Sequence, residues 1–282
     1  MIVFAQCHDG ILHYDPAGNL LSRFGGDRWL SAHGLTYQTD GDTEFLWLTD
    51  EKSGYVAKTN LTGDVIQALP TPDIRKVSSG LSDNGTNSHS YKPTWAAEDT
   101  TRGLIWVADG YGSSLIYQYD HQGKLVKAIT GIDSGTRLAC PHGITLDESG
   151  NLWIADRGNR RIVIYNPEGH YTEAFQDLCH SPCGFDYTES LIVIPELYGS
   201  IKLLDRSWRL VAELGRNASI HIERLPDGEI SRTMPEHWPN VDRATIPSRS
   251  FNSPHASCFG REGEIYVVEW ILGGRISRID LL

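Results

Sequence analysis

Three histidines open similar short motifs: Ala32-His33-Gly34, Pro141-His142-Gly143 and Pro254-His255-Ala256. Successive copies are separated by roughly 110 residues, about two repeats of the kind described below. Three neutral imidazoles meeting at one point are the ligand set of a catalytic zinc, which keeps a fourth tetrahedral position open. A single histidine at such a place would more simply cap its strand; three in register point to metal. Zinc is the expected cofactor, and another divalent transition metal could take the same ligands. Proton chemistry has its own candidates nearby. Tyr111 lies in Asp109-Gly110-Tyr111-Gly112. Beside a divalent cation its phenol would ionise below its ordinary pKa of about 10 and could act as a general base. Packed on a rim, the same ring would be structural. Arg157 closes Ile154-Ala155-Asp156-Arg157 and reads either as a salt bridge between repeats or as a catalytic cation.

These residues are placed by a repeated unit. Its clearest copy is Pro141-His142-Gly143-Ile144-Thr145-Leu146-Asp147, a turn, Asn151-Leu152-Trp153-Ile154-Ala155-Asp156, a second turn, and Arg161-Ile162-Val163-Ile164-Tyr165. Short runs rich in β-branched and aromatic residues, bounded by Gly, Asn and Asp, are strands. Related runs occur at Ile2–Ala5, Phe45–Asp50, Ile105–Asp109, Leu191–Glu196 and Glu264–Glu269. Repeats of about 40 to 60 residues with three or four strands are propeller blades. The expected fold is therefore all-β, a six-bladed β-propeller of NHL type, with residues 1–282 as a single domain. The first copy lacks an innermost strand and the last an outermost one. Two stretches, about 67–92 and 215–253, exceed ordinary connections and read as binding loops or lids.

In a blade, the residue starting the first strand and the residue ending the second share one face. The histidines, in alternate blades, are then expected at one pore mouth with Asp50, Asp109, Asp156, Glu196 and Glu269 around them. Most of those acids read as turn caps. The intervening blades begin with Pro93-Thr94 and Pro182-Cys183 instead.

Composition narrows the partners. A formal net charge of -11, with no basic stripe, argues against nucleic acid, whose phosphates need clustered Lys and Arg. No apolar run approaches the roughly 18 residues of a membrane span. The first residues lack a basic start, an apolar stretch and a cleavage site, so a cytoplasmic location is expected, or a secreted one if a leader has been removed. The five cysteines (Cys7, Cys140, Cys179, Cys183, Cys258) are then expected as free thiols. Cys179-His180-Ser181-Pro182-Cys183 is too sparse a pattern for a metal site.

The order of motifs resembles the peptidyl-α-hydroxyglycine α-amidating lyases, a branch of the NHL-repeat propellers. The resemblance runs through Leu30-Ser31-Ala32-His33-Gly34-Leu35, Lys92-Pro93-Thr94, Val107-Ala108-Asp109-Gly110-Tyr111, Pro141-His142, Ile154-Ala155-Asp156-Arg157 and Pro254-His255. It implies zinc on His33, His142 and His255, a catalytic Tyr111, and cleavage of the C–N bond of a hydroxylated glycine to give a peptide amide and glyoxylate. Two departures stand out. The family carries an arginine near the zinc where this chain reads Phe4-Ala5-Gln6-Cys7-His8-Asp9, and an aspartate of its calcium site is here Ala256. Calcium keeps one transferable ligand, the Leu35 carbonyl. The first departure leaves open a small-molecule or peptide substrate at the pore mouth. It also leaves open zinc-dependent hydrolysis of an ester, lactone or amide. A non-enzymatic NHL-type interaction scaffold is the third reading; lactonase-like propellers fit less well, because their calcium sites use carboxylates and amides.

Overall fold

The computed structural model describes residues 1–8, 10–73, 90–225 and 229–281. Among them the regular structure is β, with four single-turn 3-10 segments. Six antiparallel sheets are the blades of a six-bladed β-propeller. The first holds β1 (Ile2–Phe4), β2 (Ile11–Tyr14) and β3 (Leu20–Phe24). The second holds β4 (Ala32–Asp40), β5 (Thr43–Asp50), β6 (Tyr55–Thr59) and β7 (Val65–Ala68). The third holds β8 (Trp95–Asp99), β9 (Leu104–Ala108), β10 (Ile116–Asp120) and β11 (Leu125–Ile129). The fourth holds β12 (Pro141–Leu146), β13 (Leu152–Asp156), β14 (Arg161–Tyr165) and β15 (Tyr171–Gln176). The fifth holds β16 (Asp186–Tyr187), β17 (Leu191–Glu196), β18 (Ser200–Asp205) and β19 (Leu210–Leu214). A two-stranded hairpin follows, β20 (His221–Arg224) and β21 (Ile230–Thr233), and then the last sheet, β22 (Pro254–Phe259), β23 (Ile265–Glu269) and β24 (Arg275–Ile279). The three-stranded first and last sheets match the incomplete first and last copies in the sequence.

The chain divides into two compact units, residues 1–159 with 163–173, and residues 160–162 with 174–282. In the first unit β5 shows why the second strand of a blade is so apolar. Its alternate residues enter two different cores. Phe45 and Trp47 join Val56, Ile105, Val107 and Tyr117, while Leu46 and Leu48 pack with Ile11, Trp29 and Ala57. A strand covered on both faces loses the polar alternation of a half-exposed one. The second unit has its own core of Val193, Ile201, Leu203, Phe251, Ile265 and Val267.

One buried carboxylate locks the second and third sheets together. Glu98 on β8 accepts hydrogen bonds from Trp47 Nε1 and Lys58 Nζ, both at 2.8 Å, and Lys58 lies 3.7 Å from the Phe45 ring centre. Removing one partner of a buried pair strands the other charge, at a cost of about 3 kcal/mol or more. Glu98→Ala is expected to lower the unfolding free energy by that amount in urea titration. A loss under about 1 kcal/mol would mean the pair is solvated.

The stretch 215–253 includes regular structure among its described residues. It carries the β20–β21 hairpin, and its ends are joined by the Phe251 N–H donating to the Gly215 carbonyl at 2.8 Å. A side chain at Gly215 would collide with the Phe251 ring at 2.3 Å. Of the other long stretch, 67–92, residues 74–89 lie outside the described residues.

Candidate functional site

In the first unit, His33 and His142 begin equivalent strands, and each start is built the same way. β4 pairs with β5 at Ala32↔Asp50 and next at Leu35↔Leu48, so His33 and Gly34 together face Thr49. β12 pairs with β13 at Pro141↔Asp156 and next at Ile144↔Ile154, so His142 and Gly143 face Ala155. One extra residue in the first strand is a β-bulge, which re-aims a side chain. The acid ending each second strand fixes that bulge. Asp50 accepts from the Ser31 N–H at 2.6 Å and Asp156 from the Ala139 N–H at 2.8 Å. Asp109 does the same in the third sheet for Lys92 N–H, at 2.6 Å. These buried carboxylates hold the chain's own amides, as the capping reading expects.

The two imidazoles meet, their Nε2 atoms 3.2 Å apart. His33 Nδ1 lies 2.7 Å from the Thr94 carbonyl oxygen. A carbonyl only accepts, so Nδ1 carries the hydrogen and Nε2 of the neutral ring carries the lone pair. Thr94 stands at the histidine register of the intervening sheet, and its hydroxyl donates to the Pro141 carbonyl at 3.2 Å. A Cβ on Gly34 would come 2.4 Å from the Thr94 carbonyl oxygen, so glycine is what lets these strands close. Two nitrogens on one tetrahedral zinc, each about 2.0–2.1 Å from it, stand about 3.3 Å apart. The donor atoms of His33 and His142 fit that ion.

Burial pushes the pKa of His33 from 6.5 down to about 4, with the Arg157 charge adding to the shift and the Thr94 carbonyl opposing it. The ring is therefore neutral near pH 7, as a ligand must be. The sign for stability follows. Between 6.5 and about 4 the unfolded chain takes up a proton that folded His33 refuses, so metal-free stability falls as the pH is lowered through that window. Denaturation at several pH values should show this slope, and His33→Gln should flatten it. An unchanged slope in the variant would place the titration elsewhere.

Tyr111 reaches the same point from the turn after β9. Its hydroxyl lies 3.1 Å from His142 Nε2, and its ring meets His33 edge-on at 5.0 Å. The flanking glycines are sterically required: a Cβ on Gly110 would sit 2.5 Å from the Pro141 carbonyl, and one on Gly112 2.2 Å from the Asp109 carboxylate. Arg157 Nη2 donates to the Tyr111 hydroxyl at 3.1 Å and to Cys140 Sγ at 3.3 Å. A cation donating to a phenol oxygen favours the phenolate. Tyr111 is 36% exposed, open to a substrate. Cys140 and Thr94 were not among the candidate residues. The available signal was position: one directly precedes Pro141-His142, and the other replaces histidine in its blade. Gln6, in the stretch where the amidating lyases carry arginine, donates to Ser31 Oγ at 3.3 Å.

In the second unit His255 opens β22 by the same device. Pairing jumps from Pro254↔Glu269 to Ala256↔Val268, with His255 as the extra residue. Glu269 accepts from the N–H groups of Asn252 at 2.7 Å and Ser253 at 3.2 Å. Cys179 and Cys183 are buried. Burial pushes the Cys179 thiol well up, and Glu196 reinforces this; a thiol that keeps its proton is a poor ligand.

The NHL repeat family matches residues 138–165. The chain is 30% identical over 151 residues to the probable peptidyl-α-hydroxyglycine α-amidating lyase pgal-1 of Caenorhabditis elegans, covering 52% of this chain and 40% of that protein. It is also 30% identical over 145 residues to human NHL repeat-containing protein 3, covering 48% of this chain and 39% of that one. The chain thus spans about two fifths of the length of these relatives. A solved structure of a protein of unknown function from Bacteroides caccae is similar over 99% of this chain and 89% of its own, at a TM-score of 0.60 and 12% identity, a likeness of fold alone.

Proposed function

We propose that this propeller is a metal-dependent lyase of the α-hydroxyglycine amidating type, cleaving a C–N bond in a peptide or small-molecule substrate. His33, His142 and His255 are its zinc ligands, and Tyr111 and Arg157 act on the substrate. The observation that carries the reading is the contact of the Tyr111 hydroxyl with both His142 Nε2 and the Arg157 guanidinium, next to a nitrogen pair at the spacing of two zinc ligands. His255 is assigned as the third ligand because it occupies the same bulge at the same strand start. The relative named an amidating lyase supports the reaction class.

The reaction converts a carbinolamide to an aldehyde and an amide. The hydroxyl gives up its proton, its C–O bond becomes C=O, the C–N bond breaks, and the departing nitrogen takes a proton. Zinc, when bound, supplies Lewis acidity toward the hydroxyl oxygen. Tyr111 is the base that receives the hydroxyl proton, and it can return that proton to the leaving nitrogen. Arg157 holds the phenol in place and favours its ionised form. The stretch Phe4-Ala5-Gln6-Cys7-His8-Asp9, which has no arginine where the family carries one, favours a substrate whose end bears less charge than a free carboxylate.

The test is an assay for aldehyde release from a peptidyl-α-hydroxyglycine and from its C-terminally blocked counterpart, beside a panel of small esters, lactones and amides. Glyoxylate or its blocked equivalent is expected. Turnover confined to the panel would replace the lyase by zinc-dependent hydrolysis. The human relative is named for its repeat alone and is equally similar, which favours a second reading as a protein-interaction scaffold. That reading gains if the metal-loaded protein turns over nothing and His33→Ala leaves partner binding intact.

A further inference from the structure

Three aromatic rings cluster in the second unit, beyond the residues assigned to the reaction. Trp270 directly follows Glu269, and Tyr198 follows the corresponding Glu196 by two residues. Trp238, from the long connection, stands between them, its ring centre 5.6 Å from Tyr198 and 6.4 Å from Trp270. The indole planes of Trp238 and Trp270 cross at 83°. Two perpendicular aromatic planes form a corner in which a third flat ring can stack on one while presenting its edge to the other, the two arrangements aromatic pairs prefer.

The corner is held before any ligand arrives. The Trp270 N–H donates to the Ser253 carbonyl at 2.9 Å, and the Trp270 carbonyl accepts from Ser253 Oγ at 2.6 Å. Trp238 Nε1 donates to the Asn252 carbonyl at 3.1 Å, and Asn252 Nδ2 donates to the Pro239 carbonyl at 2.7 Å. The Trp238 indole is pinned by its own side-chain bond and the Trp270 backbone by two more, which lowers the ordering cost of binding. Trp270 is nevertheless 48% exposed, and Leu272 two residues on is 77% exposed, so the Trp270 ring has apolar surface open to a ligand. Its charge argues against a cationic guest, because the Arg232 guanidinium already lies 5.0 Å from the Tyr198 ring centre.

We propose that Trp238 and Trp270, backed by Tyr198, form a subsite for a flat aromatic group without positive charge, such as the aromatic side chain of a peptide. It adjoins the start of the strand that carries His255, and it holds whether or not the histidines bind a metal.

The test is ligand-observed NMR on the full chain with three probes: N-acetylphenylalaninamide, N-acetylleucinamide and phenethyltrimethylammonium. The phenylalanine probe is expected to bind saturably and about fivefold more tightly than either of the others. Trp270→Ala should weaken it by about the same factor, while Trp270→Phe should keep most of the binding. Circular dichroism establishes that both variants fold. Equal binding of the leucine probe would reduce the corner to an unspecific apolar surface. Tighter binding of the quaternary ammonium would make it a cation site. Undiminished binding by folded Trp270→Ala, or no binding of any probe, would also overturn the proposal.

Discussion

Tyr111→Phe is expected to lower turnover by about a hundredfold to ten-thousandfold, the usual contribution of a positioned acid or base, while the zinc content stays at the wild-type level. The substitution removes one oxygen. That oxygen lies 3.1 Å from His142 Nε2 and 3.1 Å from Arg157 Nη2, but the ring that packs edge-on against His33 remains. Loss of rate with metal retained separates a proton-transferring residue from a ligand. Arg157→Gln should reproduce part of the loss and move the pH–rate profile to higher pH, because the cation that favours the phenolate is gone. A Tyr111→Phe protein with wild-type turnover would leave the tyrosine a packing role.

His255→Ala should have a still larger effect. Altering groups that merely orient ligands costs about tenfold to a hundredfold in metal affinity, so deleting a ligand is expected to cost at least about a hundredfold and to abolish turnover at ordinary zinc concentrations. The fold should survive, since the β22 register is held by Glu269 accepting from Asn252 and Ser253, contacts the substitution does not touch. Metal analysis after dialysis checks the affinity, and circular dichroism checks the fold. Full zinc occupancy in the variant would remove His255 from the ligand set.

Much of this architecture was legible in the residues because blades repeat. The run Phe45-Leu46-Trp47-Leu48 is apolar at every position, and it enters two cores by alternation. The histidine motifs also carried their register, since the bulge places one residue at each strand start and the preceding Pro or Ala marks where it falls. The chain from His142 through Tyr111 and Arg157 to Cys140 was not legible as a set of contacts. It depends on turn geometry: Cys140 adopts φ +51, and Gly110 and Gly112 pass where no side chain fits. Nor did the stretch 215–253 announce its hairpin. His221–Arg224 and Ile230–Thr233 are short and mostly polar on both faces, so neither shows the apolar alternation of a blade strand.

Everything catalytic in this account presupposes one metal ion on three histidines, and the most direct measurement is the metal content of the native protein purified without chelators. About one zinc, or one comparable divalent ion, is expected per chain, with occupancy lost in each of His33→Ala, His142→Ala and His255→Ala. A native protein free of transition metal that also fails to take up zinc on titration would contradict it.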